Sequence, residues 1–154
     1  MSCAETLSIR IERRRIAVAV FSGLRLEYHQ VRELSSDGRE AKRTAQRFTN
    51  WLADVFDPAL VVIEATGTQE GTRRAELAHV VAGTLMLRRI PRLRIEPRDV
   101  LGNFAVPGLR TKKSLRALAA SIWPELPARH VHPAAYDAAA LGLHVQMKEM
   151  FVDQ

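Results

Sequence analysis

Alternating apolar and polar positions open the chain and predict strands. Residues 7–12 read Leu-Ser-Ile-Arg-Ile-Glu, so every second side chain is apolar. Residues 16–21 are apolar and rich in β-branched side chains, and an alternation resumes over residues 24–31 after a Ser22-Gly23 turn. The opening therefore predicts a three-stranded antiparallel meander.

A change of period after Ser36-Asp37-Gly38 predicts helices that alternate with strands. Residues 39–55 repeat apolar side chains at helical spacing, and Asp57-Pro58 ends this helix. The continuous apolar run at residues 60–63 is typical of a strand covered on both faces. Further helices are predicted over residues 70–89, 98–104, 111–123 and 134–150, and a fifth strand over residues 91–96. This succession predicts an α/β fold, a mixed five-stranded sheet with helices on both faces, in one domain over residues 1–154.

The charge balance favours a polyanionic partner. Lys and Arg number 23 against 17 Asp and Glu, which gives a net charge of +6. The single cysteine, Cys3, excludes an internal disulfide and a cysteine-rich zinc site. The polar start does not resemble a signal peptide, and no apolar run has the length of a membrane span, so we expect a cytoplasmic protein.

Two carboxylates are candidates for one functional site. Glu64 ends the buried strand, and Asp137 opens an alanine-rich helix. If both meet at one edge of the sheet, they can hold a divalent cation that binds or cleaves a phosphodiester. Each also has an ordinary structural role available, because Glu64 can cap the next helix and Asp137 can favour a helix start through the macrodipole.

Four ordered segments resemble the RuvC family of Holliday-junction resolvases, which has a ribonuclease H-like fold. They are residues 7–21, residues 60–64 with the strand-end glutamate, residues 98–108 followed by Lys112-Lys113-Ser114, and residues 134–141. The resemblance covers nearly the whole chain. It implies branched DNA as the partner, a homodimer, and two Mg²⁺ or Mn²⁺ ions as cofactors of an endonuclease.

The resemblance also implies a degenerate active site. Glu64 and Asp137 match two of the family's catalytic, metal-binding acids, whereas the first-strand aspartate falls on Arg10 and another acid falls on Ala134. Glu12 lies two residues after Arg10 on the same strand face and is the candidate replacement for the lost acid.

Two interpretations of this site follow. In the first, Arg10 forms a salt bridge with Glu64 or Asp137, replaces the metal, and leaves a pseudo-nuclease that holds DNA without cutting it. In the second, Glu12, Glu64 and Asp137 bind Mg²⁺ or Mn²⁺ in an active junction endonuclease. The histidines near the last helix are then alternative ligands or bases: His130, His132 and His144.

Basic residues near the acids are candidates for DNA contact. Lys112 and Lys113, with Arg110, precede or open a predicted helix whose N-terminal amides also attract phosphate. Arg73 and Arg74 follow the Glu64 strand and are predicted to flank the cleft. Any of these cations can instead belong to an ordinary solvated face.

Other functions are compatible with the same sequence. The segment from Val62 to Gly67 is similar to the DEDD transposases, whose catalytic domain is RuvC-like, but the acids expected after Lys113 are absent. An interaction module that keeps the fold as a scaffold is a further possibility.

Four further side-chain predictions bear on packing and assembly. Trp51, Trp123 and His79 are predicted to pack in the core. The helix that contains His79 carries a face of small residues predicted to meet a partner subunit: Ala75, Ala78, Val81, Ala82 and Leu85.

Overall fold

The computed structural model describes residues 5–64, 72–95, 112–128 and 132–152. The strands are β1 (Glu5–Ile11), β2 (Arg15–Ser22), β3 (Arg25–Glu33), β4 (Leu60–Glu64) and β5 (Arg92–Ile95). The helices are α1 (Gly38–Phe56), α2 (Arg73–Leu87), α3 (Lys112–Ile122), α4 (Glu125–Ala128) and α5 (Pro133–Val152). The helix predicted over residues 98–104 lies outside the described residues.

The five strands form one mixed sheet in the order β3-β2-β1-β4-β5. β1 is antiparallel to β2 and parallel to β4, β2 is antiparallel to β3, and β4 is parallel to β5. The predicted antiparallel meander and mixed five-stranded sheet are confirmed. β1 lies at the centre, so polar residues at its end are surrounded by other elements.

Strand alternation separates two apolar layers. Leu7, Ile9 and Ile11 of β1 are buried in the layer that packs under α1 and α2. The neighbouring strand β2 contributes Ala19 and Phe21 to the opposite layer, under α3, α4 and α5. Helices therefore cover both faces, as the continuous apolar strands predict.

Specific residues set the ends of α1. Asp37 is the N-cap, and its carboxylate accepts hydrogen bonds from the amides of Arg39 and Glu40. Asp57 ends the helix in the left-handed conformation, with φ of 43°, and its amide donates to the carbonyl of Ala53. The stop predicted at Asp57-Pro58 is confirmed.

Helix α5 is held close to the sheet at two points. The Ser8 hydroxyl of β1 is fully buried and donates to the carbonyl of Ala138, 2.6 Å away. One turn further on, Gly142 faces the ring of Phe21, and a Cβ there would stand 2.7 Å from Cδ2 and 2.8 Å from Cζ. The small residues of α5 therefore allow the close approach that brings its first turns over β1.

The structure confirms one of the three packing predictions and corrects two. Trp123 is buried, contacts the ring of Phe21 at a tilted angle, and donates its indole N–H to the carbonyl of Leu24. Trp51 is 44% exposed, although its ring contacts Tyr28, because it lies beside the buried row of α1. His79 is exposed on α2, so it is not a core histidine.

One element was not predicted. The short helix α4 follows Pro124, directly after the helix predicted over residues 111–123. Within the described part of the chain, no helix has the length and apolar character needed to cross a membrane.

Candidate functional site

The candidate site lies where β1 and β4 end side by side. Ile9 of β1 is in register with Ile63 of β4, so the next residues along the two parallel strands, Arg10 and Glu64, are neighbours. Both side chains lie on the face covered by α5, where Asp137 is placed by the first turns of that helix. The predicted convergence of the two distant acids at one sheet edge is thus present in the structure.

Arg10 is the central group of this cluster. Its Nη1 donates to both carboxylate oxygens of Glu64, at 2.6 and 2.5 Å. Its Nε lies 3.6 Å from Oδ2 of Asp137 and 3.5 Å from Oε2 of Glu12, at ion-pair rather than hydrogen-bond distance. One guanidinium group therefore contacts all three candidate acids.

A second arginine, which sequence reasoning missed, holds Asp137. Arg116 of α3 donates from Nε to Oδ1 at 3.0 Å and from Nη2 to Oδ2 at 2.8 Å, a two-point contact. The hydrogen bond to Asp137 raises the pKa of Arg116 above its ordinary value, although burial acts against this effect. The available signal was spacing: Arg116 lies one helical turn after Lys112, on the helix already expected near the site.

Glu12 extends the charge cluster along the surface. It follows the last residue of β1, in a tight turn where its amide donates to the carbonyl of Arg15. Its carboxylate contacts Arg10 on one side and Nη1 of Arg15 on the other, at 3.3 Å. The position of Glu12 on the face of Arg10 is as the strand alternation indicated.

The cluster is nearly neutral and largely removed from water. Two guanidinium groups, on Arg10 and Arg116, face three carboxylates, on Glu12, Glu64 and Asp137, for a formal charge of −1. The side chains of Arg10, Glu64 and Asp137 are 13, 10 and 7% exposed. Charges buried to this extent are stable only when paired, so each arginine compensates the charge of the acids that it contacts.

These residues do not fit a two-metal centre as they are arranged. Both oxygens of Glu64 are engaged by Arg10, and both oxygens of Asp137 are engaged by Arg116. Mg²⁺ and Ca²⁺ need oxygen ligands at about 2.0–2.6 Å, which is the space that the Arg10 guanidinium fills beside Glu64. Among the residues that the structure describes, no group of three or more His, Cys, Asp or Glu side chains is arranged to hold a metal ion.

The histidines proposed as alternative ligands are placed elsewhere or outside the described residues. His132 is exposed, and its Nδ1 accepts a hydrogen bond from the amide of Ala134, as an N-terminal cap of α5. His144 is buried further along α5, and His130 lies outside the described residues. Ala134, where an acid was expected, is buried against the sheet.

The predicted DNA-contacting cations fall in two places. Arg73 donates to the carbonyls of Ser35 and Ser36, at 3.1 and 2.6 Å, and so joins the starts of α2 and α1. Arg74 is exposed beside it. Lys112 and Lys113 open α3, one turn before Arg116, and Arg110 lies outside the described residues.

The proposed subunit-contact face of α2 needs correction. Val81 and Leu85 are fully buried in the core under α1 and α2, so they are not available to a partner. The side of α2 that reaches solvent includes His79 and Met86, whereas Ala82 is half-buried against the core. The small-residue pattern identified the helix, but its rotation on the sheet was not predicted.

Comparison with solved structures identifies the fold. The chain aligns with Thermus thermophilus RuvC in complex with a Holliday junction substrate, with a TM-score of 0.77, 16% identity and 96% of each chain covered. A yeast mitochondrial Holliday junction resolvase aligns with a TM-score of 0.65 and 12% identity, over 96% of this chain and 83% of that one. The fowlpox virus Holliday junction resolvase aligns with a TM-score of 0.62 and 13% identity, over 94% and 99%. No protein-family model and no curated protein sequence matches the chain.

Proposed function

We propose that this chain, which has the ribonuclease H-like fold of the RuvC-type resolvases, binds branched DNA of the four-way-junction type without hydrolysing it. One observation carries the proposal. The guanidinium of Arg10 donates to both oxygens of Glu64, at the position where a cation would otherwise meet the clustered acids.

The chemical reason is that a guanidinium group replaces the charge of a metal ion but not its chemistry. A bound metal lowers the pKa of a coordinated water and stabilises the leaving oxygen. A guanidinium has no coordination position to offer a water and stays protonated at physiological pH. The cluster therefore keeps its near-neutral charge and its packing while losing the means to activate water.

Binding relies on the cations around this cluster. Arg116 is 36% exposed, so it is the more accessible of the two site arginines. The start of α3, the helix that carries Arg116, offers backbone amides to an approaching phosphate, and Lys112 and Lys113 are its first two residues. Arg74 at the start of α2 adds a further contact, while Arg73 positions the loop before α1.

A homodimer is part of the proposal, because two symmetric subunits match the symmetry of a four-way junction. The solvent side of α2, with His79 and Met86, offers a weakly polar and partly apolar surface. Two copies of the helix can pack through this surface.

A pair of assays on the same samples tests this proposal. Mobility shifts with a four-way junction and with linear duplex, over a salt series, are expected to show a preference for the junction and a steep loss with salt. Incubation of the bound junction with Mg²⁺ or Mn²⁺ is expected to leave it intact. Equal weak binding to every polyanion would instead indicate an interaction module.

The active endonuclease is the second candidate, favoured by the contact of three acids with a single guanidinium. If junction DNA displaced Arg10, Glu12, Glu64 and Asp137 would be left facing one another. Cleavage that depends on Mn²⁺ and is lost in Glu64→Gln, but not in Arg94→Gln at the exposed strand β5, would establish this alternative.

A further inference from the structure

We infer that the outer face of α1 is a second phosphate-binding surface, which takes the backbone of a duplex arm away from the acid cluster. This inference rests on the proposed DNA binding. Arg39, Arg43 and Arg47 lie at successive intervals of four residues and are all exposed. We call them the α1 arginine stripe.

The stripe lies opposite the apolar side of the helix. The buried row of α1, which includes Ala41, Ala45 and Phe48, packs on the sheet face opposite to α5. With a rise of about 1.5 Å per residue, the three arginines span about 12 Å. Over that axial length, one strand of duplex DNA presents about three to four phosphates.

The acidic side chains near the stripe pair with cations outside it. Asp54 accepts a hydrogen bond from Arg88, and Glu76 pairs with Lys42 at 3.6 Å. Throughout the described ranges, the side chains of the stripe form no ion pair or hydrogen bond. Glu40 is the acid in the first turn of the same helix, so the stripe and Glu40 together carry a formal charge of +2.

The positions of the stripe arginines do not stabilise helix α1. Cations are unfavourable near a helix N-terminus and favourable near its C-terminus. The stripe starts with Arg39 in the first turn, and the last turn of α1 has no basic residue. Helix stability therefore does not account for the pattern, whereas an external polyanion does.

A basic turn connects the stripe to the acid cluster. Exposed Arg13 and Arg14 follow Glu12 in the turn between β1 and β2. The carbonyl of Arg14 accepts a hydrogen bond from the amide of Leu34, at 2.8 Å, shortly before α1 begins. A duplex arm that leaves the cluster over this turn meets the stripe next.

The test compares two triple variants with equal loss of charge. The stripe variant changes Arg39, Arg43 and Arg47 to Gln. The control variant changes three other exposed arginines to Gln: Arg25, Arg92 and Arg94. Fluorescence anisotropy with labelled linear duplex and four-way junction is recorded over a salt series. Because each phosphate contact contributes about 0.9 to the slope of log affinity against log salt, the stripe variant should lose about two to three from that slope, and the control less than one.

A variant that conserves the charge of the stripe separates the loss of phosphate contacts from a loss of folding. Changing the three stripe residues to Lys should restore most of the slope, since a lysine also neutralises a phosphate. Equal slopes for the stripe and control variants would overturn the inference. If the wild type prefers the junction and the stripe variant keeps the full slope, the stripe is not a phosphate-binding surface, and the proposed function stands.

The remaining outcomes also separate the two claims. If the wild type shows no junction preference but the stripe variant loses its slope, the surface stands and the junction function fails. A wild type without affinity for either DNA would overturn both.

Discussion

At the scale of single residues, Arg10 determines the character of the site. Its side chain is a fixed positive charge in contact with three carboxylates, and two of them, Glu64 and Asp137, are nearly buried. Removal of one partner from such a group leaves charges that neither water nor a counterion stabilises. Arg10 therefore has a structural function whether or not DNA is bound.

Arg10→Met should destabilise the protein by about 3–5 kcal/mol, the usual cost of breaking a buried ion pair. Chemical denaturation at neutral pH measures the difference. Arg94→Met, at an exposed position on β5, is the control and should change stability by no more than about 0.5 kcal/mol. A loss at Arg10 no larger than that of the control would show that the cluster does not hold the sheet edge together.

Glu5 at the start of β1 gives a pH-dependent prediction. Burial, and next the charge of Glu27, raise the pKa of Glu5 above its ordinary value of 4.5. A carboxyl with a raised pKa in the folded state stabilises the fold below its ordinary pKa, and that contribution is lost as pH rises through the raised value.

Glu5→Gln should therefore raise the melting temperature at pH 7, and the gain should shrink below about pH 4.5. Thermal melts of both proteins across this pH range measure it. A difference between variant and wild type that is the same at every pH would contradict the assigned cause.

At the scale of elements, the close packing of α5 on β1 and β2 forms the site. Ser8 donates to Ala138, and Gly142 faces Phe21, so the helix lies near enough for Asp137 to meet Arg10. The alanines of α5 near these points are buried, and their small side chains let the helix lie close to the sheet.

Gly142→Ala should destabilise the fold by about 1–3 kcal/mol, because the new methyl group overlaps the Phe21 ring. Gly83→Ala is the matched control, since it lies within α2 and a Cβ there has no heavy atom within 4 Å. That control should gain up to about 1 kcal/mol from helix propensity. Equal effects of the two changes in thermal melts would rule out the packing explanation.

Much of this arrangement was predictable because it depends on local periodicity. The alternation in β1 and the apolar run of β4 predict strands with defined faces, and Asp57-Pro58 predicts the end of α1. The convergence of Glu64 with Asp137 came from the family resemblance, since their sequence separation alone does not predict contact. The partner of Asp137 was missed because Arg116 reaches it from a third element, α3.

The sequence also left undetermined which side of helix α2 faces the sheet. The apolar and small residues of α2 surround much of the helix, so periodicity does not choose which side meets the sheet. The structure buries Leu77, Val81 and Leu85 and exposes His79, which reverses two predictions at once.

At the scale of the whole molecule, the proposed dimer depends on that rotation. His79→Arg places a long charged side chain on the solvent side of α2, where the second copy is proposed to pack. Analytical ultracentrifugation should show a shift from dimer to monomer, while circular dichroism remains unchanged.

Ser121→Arg, at an exposed position on α3, is the control for this change and should remain dimeric. A wild-type protein that sediments as a monomer at every concentration would exclude the dimer, and a His79→Arg variant that stays dimeric would place the interface elsewhere.

The most direct test of the central claim is calorimetric titration of Mn²⁺ into the wild type and the double variant Arg10→Ala, Arg116→Ala. If the guanidinium groups replace the cation, the wild type should show no saturable binding at millimolar Mn²⁺, whereas the double variant should bind it through Glu64 and Asp137. Wild-type binding of Mn²⁺ that disappears in Glu64→Gln would contradict the account, because Arg10 would then share the site with a metal rather than replace it.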